Sequence, residues 1–324
     1  MILRLSLTER QKEIATGLFV LVVAAALFAG GEGAVRVLNY VRFGDLANVD
    51  KSDNFYLDAE TGLRLAKPNT VQGGIRINAL GFRSPEITVP KPPDTIRLAF
   101  VGSSSTFDPY ASSNEKTWPF LTWHRLQQRF PNCRFDYVNA GLPGFPLAAM
   151  VTYFESRVAK LDPDVVFVLS RDFNHDADGL AEQQGLIDET SDRPSWLARR
   201  SLLWEKLEKN LRSIMRQRRL HDESGKLVFE PSSLAAAFEQ RLREFTTATS
   251  DHVDLMVLLA QPSRLRVDQT PTEQRQAAAS AVLYMPYMSV DGLFKGMTAY
   301  NEAVARVADT TGSLFIDANA RIPV

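Results

Sequence analysis

Apolar positions gather first into one long uncharged run and later into short runs divided by stretches of helical spacing. Ile14 to Gly31 (IATGLFVLVVAAALFAGG) carries no charge. Its eighteen residues, at about 1.5 Å each, reach roughly 27 Å, just short of a hydrocarbon core of about 30 Å. The run reads as a spanning helix behind a tail at 1–13, or as the apolar part of a signal peptide. Glu32 to Val41 continues in a helix-like pattern, which favours an uncleaved anchor leading into a stalk. Arg4, Arg10 and Lys12 precede the run, against Arg36 and Arg42 after it. That bias sets the N-terminus inside and the bulk of the chain outside the cytoplasm: a single-pass inner-membrane protein with a periplasmic domain.

From Phe43 to Asp94 the chain is turn-rich, with Lys67-Pro68-Asn69, Gly73-Gly74 and Pro90-Lys91-Pro92-Pro93. With the stalk, 32–94 reads as a connecting lobe with little regular structure. Then alternation begins. Ile96–Val101, Phe135–Asn139, Val165–Leu169, Val253–Ala260 and Leu314–Ile316 read as strands. Trp118–Phe130, Leu147–Leu161, Leu234–Phe245 and Thr298–Thr310 read as helices. Such alternation predicts an α/β domain over 95–324, three layers (α/β/α) around a mostly parallel five-stranded sheet covered on both faces.

A helical insertion at 172–230 interrupts the pattern and separates its charges. Asp172 to Asp192 holds seven acids and no Lys or Arg, while Arg193 to Arg219 holds nine basic residues against Glu205 and Glu208. Trp196, Leu197, Leu203, Trp204, Leu207, Leu211, Ile214 and Met215 form an apolar stripe through the basic half. The stripe fits an amphipathic helix packed on its own domain, a lid over a site, or a helix resting on anionic headgroups.

Composition narrows the function. Of 324 residues 45% are hydrophobic and 23% charged, with a formal net charge of −1, so no global field draws nucleic acid. Cys133 is the one cysteine, which excludes an intramolecular disulfide and a multi-cysteine metal site. Asn174, Asp176, Asp178 and Gly179 match half of a calcium loop, but Gly185 stands where the bidentate Glu belongs. No metal or organic cofactor is implied.

In an open parallel sheet, chemistry sits at the carboxyl ends of the strands. The segments found there are Gly102-Ser103-Ser104-Ser105-Thr106-Phe107, Asn139-Ala140-Gly141-Leu142-Pro143-Gly144 and Ser170-Arg171-Asp172-Phe173-Asn174-His175. Together they supply a hydroxyl, glycine amides and a side-chain amide, the parts for acyl transfer through an oxyanion. Singly, the serines would be helix caps and the glycines a tight turn.

The order Asn78-Ala79-Leu80-Gly81-Phe82-Arg83, Lys91-Pro92, Ile96-Arg97, GSSSTF, VNAGLPGF and PDVVFVLSRDFNHD resembles the SGNH (GDSL-like) hydrolase superfamily, in particular its membrane-anchored bacterial members. The resemblance runs from Asp58 to Ala320. It implies a flavodoxin-like fold and a serine esterase or O-acyltransferase-like hydrolase for small acyl esters, O-acetyl groups on polysaccharide among them. It places Ser104 as nucleophile, with the Ser104 and Gly141 amides and the Asn174 side chain as oxyanion donors. Ungapped, the family's asparagine falls on Phe173, one residue before Asn174. The family's D-x-x-H block is absent: no histidine follows His252, and the strand Leu314–Ile316 ends eight residues before Val324. That leaves a truncated or eroded copy as the expectation. His124 falls within a helix, His221 beyond the basic helix and His252 at a strand entrance, so His175 is the candidate base. The alternative is a membrane-tethered module that binds glycan or protein without catalysis.

Overall fold

The computed structural model describes residues 8–43, 54–170, 172–187, 194–219 and 226–322. Arg4, Arg171, the end of the acidic stretch, Arg193 and His221 lie outside them. The chain divides into two compact units, one of 1–49 with 193–211 and one of 50–192 with 212–324.

In the first unit, helix α1 runs over Glu9–Phe43, so the apolar run and the expected stalk are one continuous helix. Its length and composition suffice to cross a membrane, and none of its most apolar stretch is buried. The second member of this unit is a turn at 196–200 followed by the start of helix α6 (Leu202–Arg219).

The second unit opens with the lobe, which has more order than its turn-rich sequence suggested. Strands β1 (Phe55–Leu57) and β2 (Arg64–Ala66) form one antiparallel hairpin, and β3 (Val71–Gln72) and β4 (Ile75–Arg76) another. The main sheet follows: β5 (Thr95–Gly102), β6 (Arg134–Gly141), β7 (Val165–Leu169), β8 (Leu255–Leu259) and β9 (Leu314–Ile316), all parallel. Their spatial order is β6-β5-β7-β8-β9, the flavodoxin-like order expected.

The period-two pattern of β5 builds both cores. Leu98 and Phe100 face one side, where they meet Tyr137 and Trp118, Phe120 and Trp123 of helix α3 (Trp118–Arg129). Phe100 stacks on Phe167 at 4.8 Å and meets Trp118 edge-on at 5.0 Å. Ala99 and Val101 face the other way, into the larger core with α4 (Leu147–Tyr153), α7 (Pro231–Thr249) and α9 (Val290–Thr311). Leu255 on β8 and Leu314 on β9 are exposed, so the covering of the sheet thins toward that edge.

One helix falls at the start of the expected helical insertion, and another stands where the sequence suggested none. Helix α5 (Asp172–Gln183) begins three residues after β7, so Asn174 and His175 sit on a helix and not in a loop. Asp172 in its first turn favours the helix start, because a carboxylate complements the positive end of the dipole. Helix α8 (Pro271–Tyr284) is opened by a capping box between Thr270 and Glu273. After β9 comes a short helix, α10 (Ala318–Arg321).

At the amino edge of the sheet, Arg97 on β5 is fully buried. It donates from Nε and Nη2 to both carboxylate oxygens of Asp136 on β6, at 2.9 and 2.7 Å. It also donates to the Leu161 and Thr88 carbonyls. Removing one partner of a buried pair strands the other's charge. Asp136→Ala should therefore cost about 3–5 kcal/mol in urea denaturation, and the double replacement Arg97→Met with Asp136→Ala should cost less than that single change.

Candidate active site

The parallel register aligns the carboxyl ends of three strands: Gly102 pairs with Gly141 on one side and with Leu169 on the other. Strand order reverses between β5 and β7, and open α/β sheets bind ligands at such a crevice. Ser104 and α5 follow the two strands that flank it.

Ser104 opens the short helix α2 (Ser104–Phe107) and is half-buried. Ser103, at the cap position, makes no side-chain capping bond, so the usual structural role of a serine here is unfilled. Among the described residues the Ser104 hydroxyl makes no hydrogen bond.

Three features seat this turn. The first is close approach. A Cβ on Gly141 would lie 2.2 Å from the Phe107 nitrogen and 2.6 Å from the Thr106 carbonyl carbon, so only glycine lets β6 pass against α2. The second is Asn139, 1% exposed. Its Nδ2 donates to the Thr106 carbonyl at 3.0 Å, and its Oδ1 accepts the Gly141 N–H at 3.0 Å. The third is Arg83, also 1% exposed. Its Nε donates to Asn114 Oδ1, and its Nη groups donate to the carbonyls of Phe107, Asp108 and Ala111. The guanidinium lies 5.4 Å from the Phe107 ring centre. Asn78 builds the turn that aims Arg83: its Oδ1 accepts from the Leu80 and Phe82 amides, and Gly81 adopts φ +86°. Burial raises the Asp108 carboxyl above its usual range, against the opposing pull of Arg83.

The β7 side is tied to the β6 side by a buried carboxylate that sequence reasoning missed. Asp172, 3% exposed, accepts the Leu147 N–H at the start of α4 and the Ser170 hydroxyl. Burial raises its pKa, and those two bonds oppose the rise. Arg241 on α7 lies 3.8 Å away and pairs with Asp176 at 2.5 Å, which also accepts from the Tyr300 hydroxyl. Apolar neighbours gave this polar knot no periodic signature.

The expected site residues divide accordingly. Ser104, Gly141 and the first turns of α5 share one sheet edge. Asn174 is half-buried and His175 exposed, and His175 makes no hydrogen bond among the described residues. Phe173 is a core residue packed on Tyr300 and against Gly296. The Gly141 amide is already held by Asn139, so it would serve an oxyanion only by exchanging that acceptor. His252 lies before β8 at the opposite edge, beside Phe154, and His124 stacks on Phe120. A cavity of about 490 Å³ lies between the lobe and α3, lined by Arg76, Glu115, Phe120 and Tyr137 among others.

No family model matches the sequence, and no curated protein matches it. Solved structures similar to it include a catalytic mutant of Axe2, an acetylxylan esterase from Geobacillus stearothermophilus, at 16% identity and TM-score 0.40, covering 69% of this chain and 77% of that one. LAE5, an alpha/beta hydrolase enzyme from the metagenome of Lake Arreo, Spain, is similar at 17% identity and TM-score 0.39, covering 69% and 78%. Unmutated Axe2 is similar at 18% identity and TM-score 0.38, covering 69% and 77%.

Two outcomes test this construction. Asn139→Leu strands the Gly141 N–H and the Thr106 carbonyl, and should lower stability by about 1–3 kcal/mol in chemical denaturation. For Asp172, a raised folded pKa means that its favourable contribution is whole below the unfolded value of about 3.9 and is lost as pH rises through the folded one. Asp172→Asn should accordingly gain stability relative to the parent as pH climbs from about 4 toward 7. A constant difference across that range would contradict the assignment.

Proposed function

We propose that the chain is a membrane-anchored serine hydrolase of the SGNH kind, an esterase or O-acyltransferase acting on small acyl esters, with O-acetylated polysaccharide as the substrate class. The observation that carries this reading is Ser104, a half-buried hydroxyl without a hydrogen-bond partner among the described residues, on a turn held by Arg83, Asn139 and Gly141 at the strand-order crevice. Ser104 Oγ attacks the ester carbonyl, and the tetrahedral oxyanion is met by the Ser104 amide and the Asn174 side chain. Gly141 joins them if Asn139 releases its amide. The serine proton must pass to a base as the bond forms, and His175 is the histidine on this edge. α1 serves as the span, with Arg10 and Lys12 inside and the catalytic unit periplasmic.

The exposed, unoriented state of His175 favours a second reading, a tethered glycan- or protein-binding module on the same fold. General-base assistance is worth about 10²–10⁴-fold, and an imidazole with no partner to fix its tautomer supplies little of it.

A fluorophosphonate probe should label Ser104. Ser104→Ala should abolish labelling, and Ser103→Ala and Ser105→Ala should retain most of it. Turnover of p-nitrophenyl acetate should be low, lost in Ser104→Ala and changed less than about tenfold in His175→Ala. A loss of about 10²-fold or more in His175→Ala would instead make His175 a full base. Equal loss of labelling from all three serines would leave the binding module as the better account.

A further inference from the structure

Helix α6 begins where the apolar part of α1 ends. Glu32 is the first charged residue after Ile14–Gly31, and its carboxylate accepts from the Ser201 hydroxyl and the Leu202 and Leu203 amides, at 2.8, 3.2 and 2.9 Å. One helix thus caps the other, and Arg36 pairs with the same carboxylate at 2.7 Å. The approach is close: a Cβ on Gly31 would meet a Leu203 methyl at 2.9 Å.

Beyond that cap, α6 turns an unpartnered apolar stripe outward. Trp204, Leu207, Leu211, Ile214 and Met215 are each more than a third exposed. At 3.6 residues per turn they fall within an arc of about 100°. Arg212 and Lys206 lie on the two sides of this arc and Lys209 opposite it, while Glu208, between the arc and Arg212, accepts from the Ser195 amide. In the preceding turn Trp196 is 63% exposed, with the Arg200 guanidinium 4.9 Å from its ring centre. Tryptophan beside arginine, and an apolar stripe with Arg212 to one side and Lys206 to the other, is the chemistry of the boundary between headgroups and acyl chains.

We propose that α6 and the turn before it form an interfacial membrane helix, whose apolar arc sinks into the acyl boundary of the leaflet where α1 emerges and whose basic flanks meet acidic phospholipid headgroups. Two features select lipid as the occupant: continuity with the apolar run through the Glu32 cap, and the basic residues bordering the stripe. This rests on α1 spanning the membrane as proposed above.

The test uses the full-length protein in vesicles of phosphatidylcholine and phosphatidylglycerol, with lipids brominated near the headgroup or near the chain end. Trp196 and Trp204 should contribute a blue-shifted emission quenched more by shallow than by deep bromines. That component should vanish in Trp196→Phe with Trp204→Phe, surface changes that leave the core intact. Leu207→Glu with Leu211→Glu, both tryptophans kept, should move that component to the red and remove its quenching. Vesicles that float with the protein but leave this emission unquenched would overturn the inference and leave the anchor standing. Failure of the protein to float would remove both. Efficient disulfide dimers of Trp204→Cys in a Cys133→Ser background would show a second copy covering the stripe and would also overturn it.

Discussion

A buried guanidinium sets the shape of the candidate site. Arg83 is removed from water, and a charge in that position is tolerable only where acceptors surround it. Burial lowers its pKa, yet an arginine stays protonated. The acceptors must therefore come to it, and they are the carbonyls of 107, 108 and 111, the segment that leaves α2. The turn bearing Ser104 is thereby held from the lobe on one side and from Asn139 and Gly141 on the other. A nucleophile gains from such fixing, because a hydroxyl held in one geometry need not be ordered when substrate arrives.

Much of the fold was legible because a fully buried parallel strand is an uninterrupted apolar run. VVFVL on β7 and the run in β5 admit few other readings. The carboxyl-edge rule then places Ser104, Gly141 and Asn174 at one edge. Helix α8 has almost no amphipathic contrast, so periodicity could not find it, although the Thr270–Glu273 capping pair was present in the sequence. Helix α5 lies within the expected helical insertion, although its acids and its glycine blurred its own bounds. The roles of Arg83, Asn139 and Asp172 were not legible, because each joins segments 24 or more residues apart. Periodicity carries no trace of such contacts.

The first unit follows a similar logic at another scale. Glu32 is a carboxylate inside α1, directly after its apolar run, and it takes donors from the start of the neighbouring helix. It finds them in the open amides at the start of α6, which in turn require an acceptor. The open amides of α6 and the carboxylate of α1 thus satisfy each other.

Arg83 clamps the turn that bears Ser104, and amide hydrogen exchange on Arg83→Met measures this directly. The Asp108 and Ala111 amides, bonded to the Ser104 and Asp108 carbonyls, should lose protection while β5 and β7 keep theirs. Labelling of Ser104 by a fluorophosphonate should slow in parallel. Unchanged protection at 108 and 111 with labelling at the parent rate would contradict the account.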